Sequence, residues 1–274
     1  MNLATIRTSA GTRAVRIDDG QVIGLDAAEV GELLAEPDWR SFALQHGPSS
    51  ELTDALDFAP PVLAPEKIIC VGLNYRQHIT EMGREIPQYP TLFAKFSRAL
   101  IGAYDDIVLP TTSQAVDWEA ELGIVIGAPV RNAGVTEAAE AIAGYTVVND
   151  ITMRDWQYRS PEWLQGKTFE SSTPVGPWLV TADEVGDPAL ELSCRVDGEL
   201  MQSANTGDLV FGPAELVSYI SGFITLVPGD LIATGTPGGV GHAQSPPRYL
   251  KPGNVLETSV AGIGRLSNRI GSAT

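Results

Sequence analysis

Short apolar runs, many of them β-branched, recur along the chain from residue 67 onward, each closed by Gly, Pro, Asn or Asp. This rhythm predicts strands at 67–72, 92–96, 106–109, 118–126, 144–149, 176–181, 190–196, 231–234 and 255–260. Apolar positions spaced three and four apart predict helices only around 74–83, 136–142 and 212–222. Strands outnumber helices and do not alternate with them regularly. The pattern therefore predicts an α+β, mainly β body, not a doubly wound sheet. Upstream, residues 14–25 alternate weakly around Asp18-Asp19-Gly20, the signature of a hairpin, and 27–35 have helical spacing. The Pro-rich stretch 58–65 reads as a linker. It divides a small N-terminal α+β domain, 1–62, from a main domain, 63–274, whose last residues, 271–274, read as frayed.

Composition narrows the function classes. The 274 residues carry 34 acidic and 18 basic side chains, a formal charge of −16. With no cluster of Lys and Arg to neutralise phosphates, nucleic acid is excluded as a partner. No apolar run reaches the roughly 18 residues of a membrane span, and the N-terminus lacks the basic-then-apolar layout of a secretory signal. The expectation is a cytoplasmic protein with no membrane partner. Cys70 and Cys194 give neither a disulfide framework nor a zinc spacing and read as buried thiols. The glycines of 234–241 fit neither the P-loop nor the dinucleotide pattern and read as letting backbone approach a carboxylate closely.

The chemistry concentrates in carboxylates. Glu119 and Glu121 lead into the apolar run Leu122–Ile126, and if the strand extends back through them they share one face. Two carboxylates so placed repel each other and call for a proton, a basic partner or a metal. Asp150 ends a second apolar run, 143–149. Three carboxylates, with water and substrate oxygens completing the shell, suit a hard cation: Mg²⁺ or Mn²⁺, with Ca²⁺ as a further candidate. Zinc fits less well in a chain with three histidines.

Seven segments, in order, resemble the fumarylacetoacetate hydrolase family. They are Gly72-Leu73-Asn74-Tyr75, His78-x-x-Glu81, Asp117-Trp118-Glu119-Ala120-Glu121-Leu122, Asn149-Asp150 through Arg154 to Gln157, Gly166-Lys167-Thr168-Phe169, Pro174–Pro177, and Pro228-Gly229-Asp230 with Thr234–Gly241. The resemblance spans about 67–270. It implies a β-rich roll or sandwich that forms a homodimer, with Glu119, Glu121 and Asp150 as metal ligands. It also implies His78 and Glu81 as a water-activating pair, and Arg154, Gln157, Lys167 and Thr236 around a small anionic keto-acid substrate, with Tyr75 beside them. The reaction it implies is hydrolysis of a C–C bond in a 2,4-diketo acid of the acylpyruvate or fumarylpyruvate type, as in aromatic catabolism. Lys167 would sit beside the enolate, and His78, one helical turn from Glu81, would activate the water. Decarboxylation or keto–enol isomerisation of a keto acid at the same metal is the alternative, and a non-catalytic metal-dependent binding protein is the alternative of another class. Asp117 reads as a group behind the ligands. His46 and His242 have no comparable pattern. Residues 80–89 read as a lid over the pocket.

Overall fold

The computed structural model describes residues 1–272 apart from His46, Asp54 and Met82. Most predicted strands form close to their expected limits, as Ile68–Gly72, Thr91–Lys95, Ile107–Leu109, Ile142–Asn149, Thr173–Thr181, Glu191–Val196, Leu231–Ala233 and Val255–Val260. The helices are Val30–Ala35, Arg76–Glu81, Val135–Glu140 and Pro213–Ser221, joined by several single turns. The fold is mainly β, and among the described residues no helix is long and apolar enough to cross a membrane.

The strands form two layers. The larger sheet runs, in spatial order, Ser49–Glu51, Gln21–Gly24, Gly11–Asp18, Asn2–Thr8, Thr173–Thr181, Ile142–Asn149, Ala120–Ile126, Leu231–Ala233, Ile68–Gly72 and Thr91–Lys95. The smaller sheet runs Glu199–Asn205, Glu191–Val196, Val255–Val260, Gly264–Ser272 and Ile107–Leu109. Leu122, Ile124 and Val147 of the first belong to one buried core with Leu192, Cys194, Leu256 and Leu266 of the second. Asn149 ties the layers with a polar link, donating to Thr258 Oγ1 at 2.8 Å.

Three segments depart from the sequence reading. The chain expected to be one strand over 118–126 breaks into Val116–Asp117 and Ala120–Ile126. Between them the Glu119 N–H donates to the Asn149 side chain and not to a neighbouring strand, while the Asp117 carboxylate, at the end of the first piece, accepts the backbone N–H groups of Gly241 and His242. The expected frayed end is instead paired, because Gly271 and Ser272 lie in register with Val108 and Leu109; Ala273 and Thr274 lie outside the described residues. The Pro-rich segment packs tightly: Asp57–Ala59 pairs with the first strand, and Thr5 Oγ1 donates to Pro61 O at 2.6 Å. The predicted hairpin forms from Gly11–Asp18 and Gln21–Gly24, and Asn2 and Leu3 pair with Val180 and Leu179 of the main sheet.

The topology gathers one end of the large sheet into a site. Leu231–Ala233 and Ile68–Gly72 are parallel neighbours, so the loops after both leave from the same edge. Ala120–Ile126 starts at that edge and its antiparallel partner Ile142–Asn149 ends there, with Ala120 opposite Asn149.

Candidate active site

Glu119, Glu121 and Asp150 converge at this edge. One oxygen from each lies within 4.8 Å of the others, and all three residues are buried. They approach because Glu119 stands just before its strand and Asp150 just after the neighbouring one, with the Asp150 N–H donating to Glu119 O at 2.8 Å.

Cations surround the group. Lys167 Nζ donates to Glu119 at 2.6 Å and Asp150 at 2.8 Å. Arg154 reaches Glu119 at 2.7 Å and, through Nε, Asp117 at 2.8 Å. Lys95, which the sequence reading passed over, donates to Asp150 at 2.5 Å from a fully buried position. Three strands separate Thr91–Lys95 from Ile142–Asn149 in the sheet order, so the sheet must curl to bring Lys95 onto Asp150. Nothing in the local pattern around Lys95 announces that contact. The family resemblance sets Arg154 beside the substrate. The structure pairs it with Asp117 and Glu119, while Asp155 binds Ser113 and the Gln114 N–H.

Among the described residues no cation lies within ion-pair distance of Glu121, and its hydrogen bond comes from the Gly235 N–H at 2.7 Å. Burial first, then Asp150 and Glu119, push its carboxyl well above the usual carboxylate range. Asp150 goes the other way: burial would raise it, but Lys167 and Lys95 outweigh that and hold it below its ordinary value. Burial likewise opposes the Lys167 charge, and Asp150 and Glu119 overcome it, raising its pKa. The buried cluster thus contains four carboxylates, Asp117, Glu119, Glu121 and Asp150, against three cations, Lys95, Arg154 and Lys167. One negative charge is in excess and rests on the carboxylate least provided for. A dication fits this donor set: it meets hard oxygen ligands, relieves Glu121 and turns the excess positive, the sign an anionic substrate needs.

Beside the cluster lies a cavity of about 280 Å³ whose walls include His78, Arg84, Phe93, Glu119, Arg154, Gln157, Trp163, Lys167, Thr236 and His242. A larger depression of about 740 Å³ around Pro246 and Pro247 has no carboxylate or histidine on its walls, so the chemistry belongs to the smaller one. The free hydrogens here point to donor groups. Lys167 uses two N–H on carboxylates and keeps a third. Gln157 Oε1 is held by Arg154 Nη1 at 2.9 Å, which leaves its NH₂ for the cavity. Thr236 Oγ1 accepts from Gln202 Nε2 at 2.8 Å, which frees its own hydroxyl hydrogen. Gln202, buried and also accepting the Ala120 N–H at 2.9 Å, is a second residue the sequence reading missed.

The glycine loop grips protein carboxylates. Gly235, at φ 101°, sits where a Cβ would come within 2.9 Å of Val71 O, and that close fit lets its N–H reach Glu121. Gly241 serves Asp117 in the same way. His78 is half-buried on the helix Arg76–Glu81 and lines the cavity. Burial lowers its pKa against the opposing pull of Glu81 and Glu119, with Arg84 and Arg154 adding to the lowering, which favours the neutral ring. Glu81 and Tyr75 do not line this cavity; they border a smaller one behind His78. Glu81 accepts from Gln77 at 3.1 Å, and no hydrogen bond joins it to His78 among the described residues. Tyr75 is buried with its hydroxyl unpartnered. His242, which has no supporting pattern in the sequence, lines the cavity rim with Nδ1 2.8 Å from Tyr249 OH; His46 lies outside the described residues. Of the suggested lid, Arg84 reaches the cavity wall and Tyr89 packs on Tyr219, ring centroids 6.3 Å apart; Met82 lies outside the described residues.

Residues 67–271 match the family model described as fumarylacetoacetate (FAA) hydrolase C-terminal. The chain belongs to the fumarylacetoacetate hydrolase family. Among relatives of this family, the chain is 46% identical over 226 residues to oxaloacetate tautomerase FAHD2B, mitochondrial, of Bos taurus, covering 81% of this chain and 71% of that one. Its fold is that of fumarylacetoacetate hydrolase from psychrophilic Exiguobacterium antarcticum, with a TM-score of 0.90, 33% identity and full coverage of both chains. Maleylpyruvate hydrolase from Sphingobium sp. SYK-6, in complex with manganese(II) and pyruvate, superposes with a TM-score of 0.82 at 28% identity, again over both whole chains. A chain of this family with a buried acidic triad, similar to a protein that binds manganese, is an enzyme for which a divalent metal is the fitting cofactor.

Proposed function

We propose that this protein is a Mg²⁺- or Mn²⁺-dependent enzyme that moves a proton between carbon and oxygen of a small anionic keto acid, a keto–enol tautomerase of the oxaloacetate type. The observation that carries the reading is the half-buried imidazole of His78, facing a donor-lined cavity beside the acidic triad. Similarity to a tautomerase over four-fifths of the chain supports isomerisation over hydrolysis, the order opposite to that drawn from the sequence. The likeness to maleylpyruvate hydrolase keeps C–C hydrolysis of a diketo acid as the second reading.

Glu119, Glu121 and Asp150 would hold the cation, which would supply Lewis acidity to an adjacent carbonyl oxygen. The chain's own groups do the rest. Thr236 and Gln157 direct donors at the substrate carboxylate and fix its orientation. Lys167 presents its spare N–H and positive charge where negative charge grows on the carbonyl oxygen, in a buried setting that strengthens the interaction. His78, neutral, takes the proton from the carbon next to the carbonyl. Phe93, 5.0 Å from Lys167 Nζ, and Trp163 keep that side dry.

The test is ultraviolet monitoring of enol-to-keto conversion of oxaloacetate by chelator-stripped protein, with and without Mn²⁺, products identified by mass spectrometry, and an acylpyruvate run in parallel. Metal-dependent conversion above the blank, with oxaloacetate as the sole mass, is expected. Metal-dependent release of pyruvate and a second acid from the acylpyruvate, with no tautomerisation, would replace the reading by the hydrolase.

A further inference from the structure

Behind His78 lies a second chamber of about 120 Å³, lined by Tyr75, Gln77, His78, Glu81, Ser203, Asp208 and the backbone of Pro237 and Gly238. Its volume is that of a few water molecules. His78 lines both this chamber and the substrate cavity. A methyl group built on Gly238 would stand 3.1 Å from His78 Nδ1 and 3.5 Å from Glu81 Oε2, so the ring nitrogen and the carboxylate both border the space at Gly238. Gly238 itself does not line the substrate cavity. On the far wall, Asp208 Oδ2 accepts the Gln77 N–H at 3.0 Å, holding the first turn of the helix that carries His78. No direct bond connects His78 to Glu81, so any passage between them runs through water.

A base with substrate against one face can exchange its proton with solvent only by another. Substrate seated in the 280 Å³ cavity would cover the face of His78 that lines it. We propose that the chamber is the proton outlet of the site, in which waters between His78 Nδ1, Glu81 and Asp208 exchange the imidazole proton with solvent while substrate is bound. This rests on the assignment of His78 as the base. In the step, the C–H bond breaks, its electron pair becomes the enol C=C bond, and the carbonyl π pair moves to oxygen, which takes a proton from water as the product leaves and the cavity refills. The proton received by His78 leaves to water through the chamber, so no net proton is made or consumed. The charged groups acting on His78 are Glu81, Glu119, Arg84 and Arg154, with Asp208 across the chamber. Asp208 acts through water and through the helix, not on the substrate.

Two variants test the outlet at residues that do not themselves line the substrate cavity. Gly238→Ala narrows the chamber, and Asp208→Asn keeps an acceptor for the Gln77 N–H while removing its basicity. Each is assayed with Mn²⁺ at low and rising concentrations of N-methylmorpholine buffer, with enzyme-free blanks subtracted. The outlet predicts kcat lowered about fivefold at low buffer, well short of the roughly 10²–10⁴-fold loss expected when the base itself is removed, and restored by added buffer. KM and Mn²⁺ affinity should stay at wild-type values. Wild-type kcat at low buffer, or a loss that buffer does not restore, overturns it. If Gly238→Ala does not fold, Asp208→Asn alone decides. His78→Ala run alongside separates the two claims: full turnover in that variant removes the base assignment, whereas its inactivity beside fully active chamber variants removes only the outlet.

Discussion

Replacing Lys95 by Met probes the electrostatic frame of the site. The Lys95 ammonium lies 2.5 Å from Asp150 Oδ1, with side-chain exposures of 1% and 0%. Removing one partner of a buried pair leaves the other charge uncompensated, at a cost of about 3–5 kcal/mol. Asp150 retains Lys167 at 2.8 Å, so the loss should sit at the lower end, about 3 kcal/mol. For a chain of this size each kcal/mol moves the midpoint by about 2 °C, so thermal unfolding of chelator-stripped variant should occur about 6 °C below wild type. The variant also leaves the cluster with two surplus negative charges, so Mn²⁺ should raise its Tm by more than it raises that of wild type. Circular dichroism melts of both proteins, with and without the ion, read this directly. A stripped variant within 1 °C of wild type, or an equal Mn²⁺ shift in both, would refute the reasoning.

Replacing His78 by Ala should lower turnover about 10²–10⁴-fold while leaving Mn²⁺ affinity intact, measured by steady-state kinetics and calorimetry. Because burial holds the His78 pKa below its ordinary value, wild-type kcat/KM should rise as pH increases, with its acid inflection below about 6.5. The same depression makes the neutral ring a stabilising feature that is lost as pH falls from that ordinary value through the folded one. Replacing Gln202 by Leu strips the Ala120 N–H and the Thr236 hydroxyl of their partner, and urea unfolding should show a loss of about 1–3 kcal/mol together with a raised KM. Deleting residues 83–88 removes Arg84 from the cavity mouth and should cripple turnover while the far-ultraviolet spectrum and Tm stay near wild type.

What was legible in the sequence follows from which interactions are local. Short apolar runs set the strands at 68–72, 142–149 and 255–260 because each strand's own burial writes the pattern. Glu119, Glu121 and Asp150 stood out because acids at the ends of apolar runs contradict their surroundings. Their meeting did not come from a shared strand face, since the strand starts at Ala120 and Glu119 is turned by Asp117 and Asn149. Lys95 and Gln202 were illegible for the opposite reason. Each looks like an ordinary polar residue in a strand, and its partner, Asp150 or Thr236, is brought over by sheet curvature or by the second sheet. The first strand and Gly264–Ser272 were missed as well, their alternation diluted by Thr, Arg, Ser and Asn. His242 carries no motif and becomes a cavity residue only because Asp117 draws the 234–241 loop inward.

The account stands on a dication at the acidic triad, and electron paramagnetic resonance titration of stripped protein with Mn²⁺ tests that most directly. One ion per chain is predicted, bound more tightly when oxalate, shaped like the enolate of a keto acid, is present, and lost in Glu121→Ala. No bound ion, or binding indifferent to Glu121→Ala, would contradict the central claim.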